Sequence, residues 1–207
     1  MKPLYQHTFT NRGTSAVEAV VYVAIFSLIM LALLNFAYYS FKKQSYSTAV
    51  YDASFSARKA LSELLSDIRS ASYSDNGAYP IERFEGYEFI FYSDTDKDGK
   101  IEKIRYFLDG TTLKKQIFKS SGIPPIYLNT PDKESVVASY VQNQRFSETL
   151  FEYLDKYGNK ITNPNDLLKI VTVNIKIITD KNPNRAPDKY NFEASASIRN
   201  LIEDYAK

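Results

Sequence analysis

The chain has no cysteine and no tryptophan, and it holds one histidine, His7. Without thiols there can be no disulfide, thiolate metal site or cysteine nucleophile. The compartment stays open, because many exported domains do without disulfides. With the only imidazole so close to the N-terminus, histidine catalysis and histidine-based zinc binding are excluded for everything after it. Charge of one sign is not in excess either: 26 Lys and Arg face 24 Asp and Glu, a formal net charge of +2. No basic field is left for a nucleic acid, and no nucleic-acid partner is expected. No Gly-x-Ser-x-Gly, P-loop or dinucleotide fingerprint occurs, so the chain is not expected to be an enzyme. The 17 tyrosines and 13 phenylalanines fall mostly on alternating faces of β-like segments, where aromatic rings suit a core.

What is present begins with an apolar run. Residues 19–34 (AVVYVAIFSLIMLALL) carry no charge, and the run continues to Phe41, interrupted by Asn35, Ser40 and tyrosines. About 20 apolar residues in helix suffice to cross a bilayer. A secretory signal has a shorter apolar core, roughly 7 to 15 residues, with its small-residue cleavage site after the core. Here a small residue, Gly13, precedes it. Positive charge does not fix the topology, since Lys2 and Arg12 before the run are matched by Lys42 and Lys43 after it.

The junction from Arg12-Gly13 through Thr14-Ser-Ala-Val-Glu18 into the apolar run resembles the class III leader of type IV pilins and type II secretion pseudopilins. Two later phrases, Tyr106-Phe-Leu-Asp-Gly-Thr-Thr-Leu113 and a closing strand at residues 196–201, are similar to minor pilins and J-type pseudopilins. The chain departs from the pattern in having Thr14, not an aromatic residue, after the cut, and Ala16 where Leu is common. The resemblance implies cleavage between Gly13 and Thr14 by a prepilin peptidase and N-methylation of Thr14. It implies a role for Glu18 in docking against other pilin or pseudopilin subunits, and a single-pass place in the cytoplasmic (inner) membrane with the head extracytoplasmic before filament assembly. Loss of Lys2 and Arg12 with the leader would bring the 26 bases to 24, level with the 24 acids.

Physical chemistry supplies a reason for Glu18. An intramembrane carboxylate is costly and normally faces a partner. Thr14 and Glu18 are one helical turn apart on one face, so a freed Thr14 amine can pair with Glu18 of its own or a neighbouring chain. A carboxylate at the membrane interface of a simple anchor is the competing reading.

Beyond the run, Val50, Ala53, Ala57, Leu61, Leu64, Leu65 and Ile68 recur at threes and fours, the stripe of an amphipathic helix. Lys59, Glu63, Asp67 and Arg69 are expected on its solvent face. Past Asn76-Gly77 and Pro80 the period becomes two. Tyr87/Phe89/Phe91 and Ile104/Tyr106/Leu108 read as half-buried strands, and Asp109-Gly110 turns into Thr112–Phe118 to make a three-stranded meander. Glu134–Asn143 reads as a short helix, Leu150–Asp155 as a strand, and 171–177 with 192–198 as a hairpin around the proline-containing loop 180–190.

The expected fold class is therefore α+β and pilin-like: a long N-terminal helix, transmembrane then amphipathic, packed on an antiparallel β-sheet head. Its parts are a leader (1–13), a transmembrane half (14–41), an amphipathic half (42–75) and the head (76–207). A separate juxtamembrane helix after a break near Lys42–Ser47 would suit the same stripe.

One further constellation carries metal chemistry. Asp94-Thr-Asp96-Lys-Asp98-Gly99-Lys100-Ile-Glu102 matches the opening of an EF-hand loop, with carboxylates at positions 1, 3 and 5, Gly at 6 and the Lys100 carbonyl at 7. Glu102 at position 9 supplies an oxygen directly or through water, but Arg105 stands where the bidentate Glu belongs. Calcium is the candidate cofactor, with Asp94, Asp96, Asp98, Lys100 and Glu102 as ligands. A metal-free polar turn is the alternative, since Asp-Gly is itself a strong turn former. The expected function is a noncatalytic minor pilin or pseudopilin, against the alternative of a permanently anchored extracytoplasmic ligand-binding module.

Overall fold

No glycine or proline occurs between Gly13 and Gly77, and nothing else in that stretch breaks a helix. In the structure, a computed structural model that describes residues 15–180 and 189–204, helix α1 runs without interruption through Ala16–Arg69. The break near Lys42–Ser47 does not occur. The chain divides into two compact units, residues 1–48 and 49–207, and α1 contributes to both.

In the first unit the helix exposes apolar side chains all round, and none of the residues in the stretch Ala16–Gln44 is buried. A helix apolar on every face needs a non-aqueous surrounding. In the second unit the 3.6-residue stripe has a protein partner. Ala53, Ala57, Ala60, Leu61, Leu64 and Ile68 are buried. Ser93 Oγ donates to the Asp67 carbonyl at 3.0 Å and Ser70 Oγ to the same carbonyl at 3.1 Å, which satisfies an acceptor that a helix C-terminus leaves open.

The remainder is antiparallel. Strands β1 (Ile81–Phe84), β2 (Glu88–Ser93), β3 (Glu102–Asp109) and β4 (Thr112–Phe118) are followed by a two-residue ribbon, β5 (Ser120–Ser121) with β6 (Ile126–Tyr127). Then come β7 (Lys133–Ser139), β8 (Phe151–Leu154), β9 (Lys160–Ile161), β10 (Thr172–Thr179), β11 (Tyr190–Ser197) and a short helix α2 (Arg199–Asp204). One sheet has the order β1-β2-β3-β4-β7 and the other β11-β10-β8-β9. Both feed one core, in which Leu64 and Ile68 of α1 join Phe89, Tyr106 and Leu113 of the first sheet and Val173 and Ile175 of the second.

The meander β2-β3-β4 and the β10-β11 hairpin match the sequence reading, the latter in register from Thr172↔Ser197 to Thr179↔Tyr190. Residues 181–188 of the expected loop between them lie outside the described residues. Four expectations need correction. Glu134–Asn143 is not a helix: residues 133–139 form β7, paired with the free edge of β4, where Val136 and Val137 suit a strand and an open ladder decides between the two states. β2 is buried on both faces, not one, and on the outer side the Tyr127 ring packs 5.3 Å from that of Tyr92. The closing strand ends at Ser197, and the chain turns helical from Arg199.

The fourth correction concerns Asp67, which is buried, not solvent-facing. The alternation of β4 places Lys115 on the same inward face as Leu113, and α1 answers that buried ammonium with acids one turn apart. Lys115 Nζ lies 2.6 Å from Asp67 Oδ2 and 2.9 Å from Glu63 Oε1, and Tyr106 Oη donates to Asp67 Oδ2 at 2.6 Å. Burial pulls the Lys115 ammonium toward neutrality, but the two carboxylates outweigh it and hold its pKa above the ordinary lysine value. Removing one partner of a buried pair leaves the other charge stranded. Lys115→Ala should therefore destabilise the fold by about 3–5 kcal/mol, read as a lower denaturant midpoint. An unchanged midpoint would mean that the pair adds nothing.

Candidate functional site

Two places carry the residues singled out above. The first is the start of α1. Gly13 and Thr14, the expected cleavage and methylation positions, lie outside the described residues. Ser15 caps the helix: its carbonyl accepts from the Ala19 N–H at 3.1 Å and its Oγ from the Val17 N–H at 3.3 Å. Glu18 then falls in the first turn, where a carboxylate is favoured by the helix dipole. It is exposed and accepts from Tyr22 Oη at 2.8 Å.

The helix that follows is 29 residues long over Ala16–Gln44 and apolar enough to cross a membrane. At 1.5 Å per residue it is about 44 Å long, more than the ~30 Å hydrocarbon core requires. Polar side chains within it turn back on their own backbone, Ser27 Oγ to the Val23 carbonyl at 2.7 Å and Asn35 Nδ2 to the Leu31 carbonyl at 2.9 Å. That is the arrangement lipid demands, since no water is available to satisfy them. Tyr38, Tyr39, Lys42 and Lys43 follow, with Lys42 Nζ 6.0 Å from the Tyr38 ring centre. An aromatic and lysine belt of this kind marks a membrane–water interface.

The second place is the loop between β2 and β3. Carboxylate oxygens of Asp94, Asp96 and Glu102 lie within 4.8 Å of one another. The loop turns through left-handed backbone at Lys97 (φ 61°) and Gly99 (φ 86°), and the Gly99 N–H donates to Asp94 Oδ2 at 3.1 Å. Glu102 accepts from the Thr95 N–H and Oγ1 at 3.0 and 3.1 Å through one oxygen. Asp98 is not one of these three but is tied to them by local turn bonds: its N–H donates to Asp96 Oδ1 at 3.3 Å and its Oδ1 accepts from the Lys100 N–H at 2.8 Å. Lys100 is exposed and is tied into the loop through that N–H.

The residue that the sequence reading missed is Lys119, whose Nζ lies 3.0 Å from Asp96 Oδ2. It is 23 positions from Asp96 in the chain, and only the pairing of Lys103 with Phe118 brings it there. Its ammonium holds the Asp96 carboxyl below the ordinary range, and Asp96 in turn raises the Lys119 pKa. Glu102 moves the other way. It is 2 % exposed, and burial pushes its carboxyl above the ordinary value against the opposing pull of the Thr95 bonds. Among the described residues Asp94 Oδ1 is buried without a hydrogen-bond partner. Three carboxylates against one ammonium form a hard-oxygen cluster that could hold a divalent cation such as calcium.

Comparison with models of known protein families and with curated proteins finds no match for this chain.

If the cluster takes calcium, the ion should stabilise the fold by mass action, by about 2.7 kcal/mol at a free level 100 times Kd, and so raise the melting temperature. Asp96→Ala should abolish the response, and an unchanged melting temperature in the parent chain would leave a polar turn only. A carboxyl with a raised folded pKa adds stability below its unfolded value, near 4.5 for glutamate, and loses it as pH rises through the folded value. Glu102→Gln should accordingly raise the cation-free melting temperature at pH 7 but not at pH 4. A lower melting temperature at pH 7 would show the ionised group to be stabilising.

Proposed function

We propose that the chain is a noncatalytic minor pilin or minor pseudopilin, a membrane-inserted subunit of a type IV pilus or type II secretion pseudopilus. The observation that carries this reading is one carboxylate, Glu18, in the first turn of a helix that has no other charge before Lys42, immediately after a leader ending in Arg12-Gly13. A helix that continues as a packed amphipathic segment beside an antiparallel sheet supports the same reading.

In this proposal the apolar half of α1 inserts in the cytoplasmic membrane and the head stays outside. Prepilin peptidase removes residues 1–13, and Thr14 becomes the N-methylated terminus. The Thr14 amine pairs with Glu18 of its own or an adjacent subunit, which neutralises two charges that lipid would otherwise penalise. The remaining partners are other subunits of the filament, with α1 bundled among their helices. The chain's own part is insertion, docking and presentation of the head.

The test begins with the mature N-terminus. Intact mass should place it at Thr14, and Gly13→Leu should leave uncleaved precursor in the membrane. A chain still starting at Met1 would point instead to a permanently anchored ligand-binding module. Glu18→Ala should leave membrane insertion intact, since it removes a charge from lipid, while the filament-bound fraction falls by about tenfold or more because a neighbouring amine loses its counter-charge. Equal filament-bound fractions for wild type and Glu18→Ala would remove the central residue of the proposal.

A further inference from the structure

Two apolar features of the head remain without a role, and they lie at opposite ends of one strand. Register places Ser93, Glu102 and Phe118 at one end of β2-β3-β4, and the β5-β6 ribbon leaves directly after Phe118. Gly86 precedes β2 at its other end. The six residues of β2 separate the two ends by about 20 Å.

The ribbon is a finger. Ser120 pairs with Tyr127 and Ser121 with Ile126, Gly122 takes a left-handed turn at φ 85°, and Ile123-Pro124-Pro125 forms the tip. Residues 120–130 carry no charge. Ile123 is 102 % exposed, and Ile126 and Leu128 are more than half exposed. The base is fixed: Tyr127 Oη donates to the Ile101 carbonyl at 2.7 Å, Ile101 N–H donates to Asp75 Oδ1 at 3.1 Å, and Ser120 Oγ donates to Asp75 Oδ2. A fixed base means that little ordering entropy is lost on docking.

At the far end a cleft of about 320 Å³ opens between the edge of β1 and the β8-β9 pair, walled by Phe84, Gly86, Thr149, Tyr153 and Ile161. Its rim charges are already paired, Arg83 with Glu85 at 2.6 Å and Lys160 with Glu152 at 2.6 Å. A charged ligand would find no open counter-charge there, whereas an uncharged apolar tip strands none. The volume is at the small end of ligand clefts, roughly 300–1,000 Å³, and suits one or two aliphatic side chains.

We propose that the Ile123-Pro124-Pro125 tip of one chain seats in the Phe84/Tyr153/Ile161 cleft of a second copy. Knob and hole are different surfaces, so the contact is heterologous, and a bound pair still offers one free cleft, on the copy that gave its finger, and one free finger, on the copy that received it. Repetition of such a contact gives an open series unless the rotation closes a ring. The inference rests on the head alone and does not require the leader or Glu18.

The absence of cysteine makes the test direct. Full-length chains carrying Ser121→Cys and chains carrying Thr162→Cys, both exposed positions, are expressed together in membranes and oxidised. A mixed disulfide dimer should form, well above the dimer from either variant alone. A chain carrying both substitutions should give dimers and higher species. Adding Ile123→Asp to the Ser121→Cys chain should lower the mixed dimer by about tenfold or more, the effect of charging a buried anchor, with the melting temperature unchanged. No mixed dimer, Ser121→Cys self-dimers as abundant as the mixed species, cross-linking mainly to a different protein, or insensitivity to Ile123→Asp would each overturn the proposal.

Discussion

An unbroken backbone is the constraint on which the rest of this molecule depends. The 54 residues of α1 contain neither glycine nor proline, so every backbone donor and acceptor between its ends is satisfied within the helix. Only that condition lets one element be apolar on every face over its first part, as a helix able to cross a membrane must be, and serve as a packing wall over its second. The change of environment is written in side chains alone. Apolar residues cover every face through Phe41, and thereafter the apolar positions narrow to the stripe of Ala53, Ala57, Leu61, Leu64 and Ile68.

Where that stripe meets the sheet, the contact is not purely apolar. Asp67 and Glu63 reach Lys115 across the core boundary, and Tyr106 closes the group by donating to the same Asp67 oxygen. A buried pair is weak evidence for net stability, because desolvation offsets most of the attraction. Its stronger effect is on register. A slip of one residue in β4 would move Lys115 to the outer face and bury Lys114 or Gln116 opposite two acids. The pair thus sets which turn of α1 faces which strand, and the small residues Ala57 and Ala60 let the helix sit close to the sheet there.

The sequence was legible where a residue's environment follows from its neighbours in the chain. The helix, the meander and the β10-β11 hairpin all rest on local periodicity, and so does the clustering of Asp94, Asp96 and Glu102, whose spacing is that of a tight loop. It was not legible where the deciding partner is remote. Asp67 looks like a solvent-face acid until Lys115 arrives from 48 positions away. The segment 133–139 is helix-like in length and composition until the free edge of β4 offers it a ladder. Tyr92, which alternation assigns to the water side of β2, is buried with the ring of Tyr127, on a ribbon of two-residue strands, packed against it.

Lys119 shows how such a remote partner changes the meaning of a motif. Read locally, residues 94–102 are an anionic loop in want of a cation. In the fold they already hold one ammonium, supplied by the residue that joins β4 to the ribbon. A divalent ion entering the loop would have to compete with Lys119 for Asp96, yet it would relieve two groups that Lys119 leaves poorly served, the buried Glu102 and the unpartnered oxygen of Asp94. The same lysine precedes Ser120, whose hydroxyl is held by Asp75. Two consecutive residues thus anchor different parts of this end of the sheet, Lys119 the anionic loop and Ser120 the base of the finger.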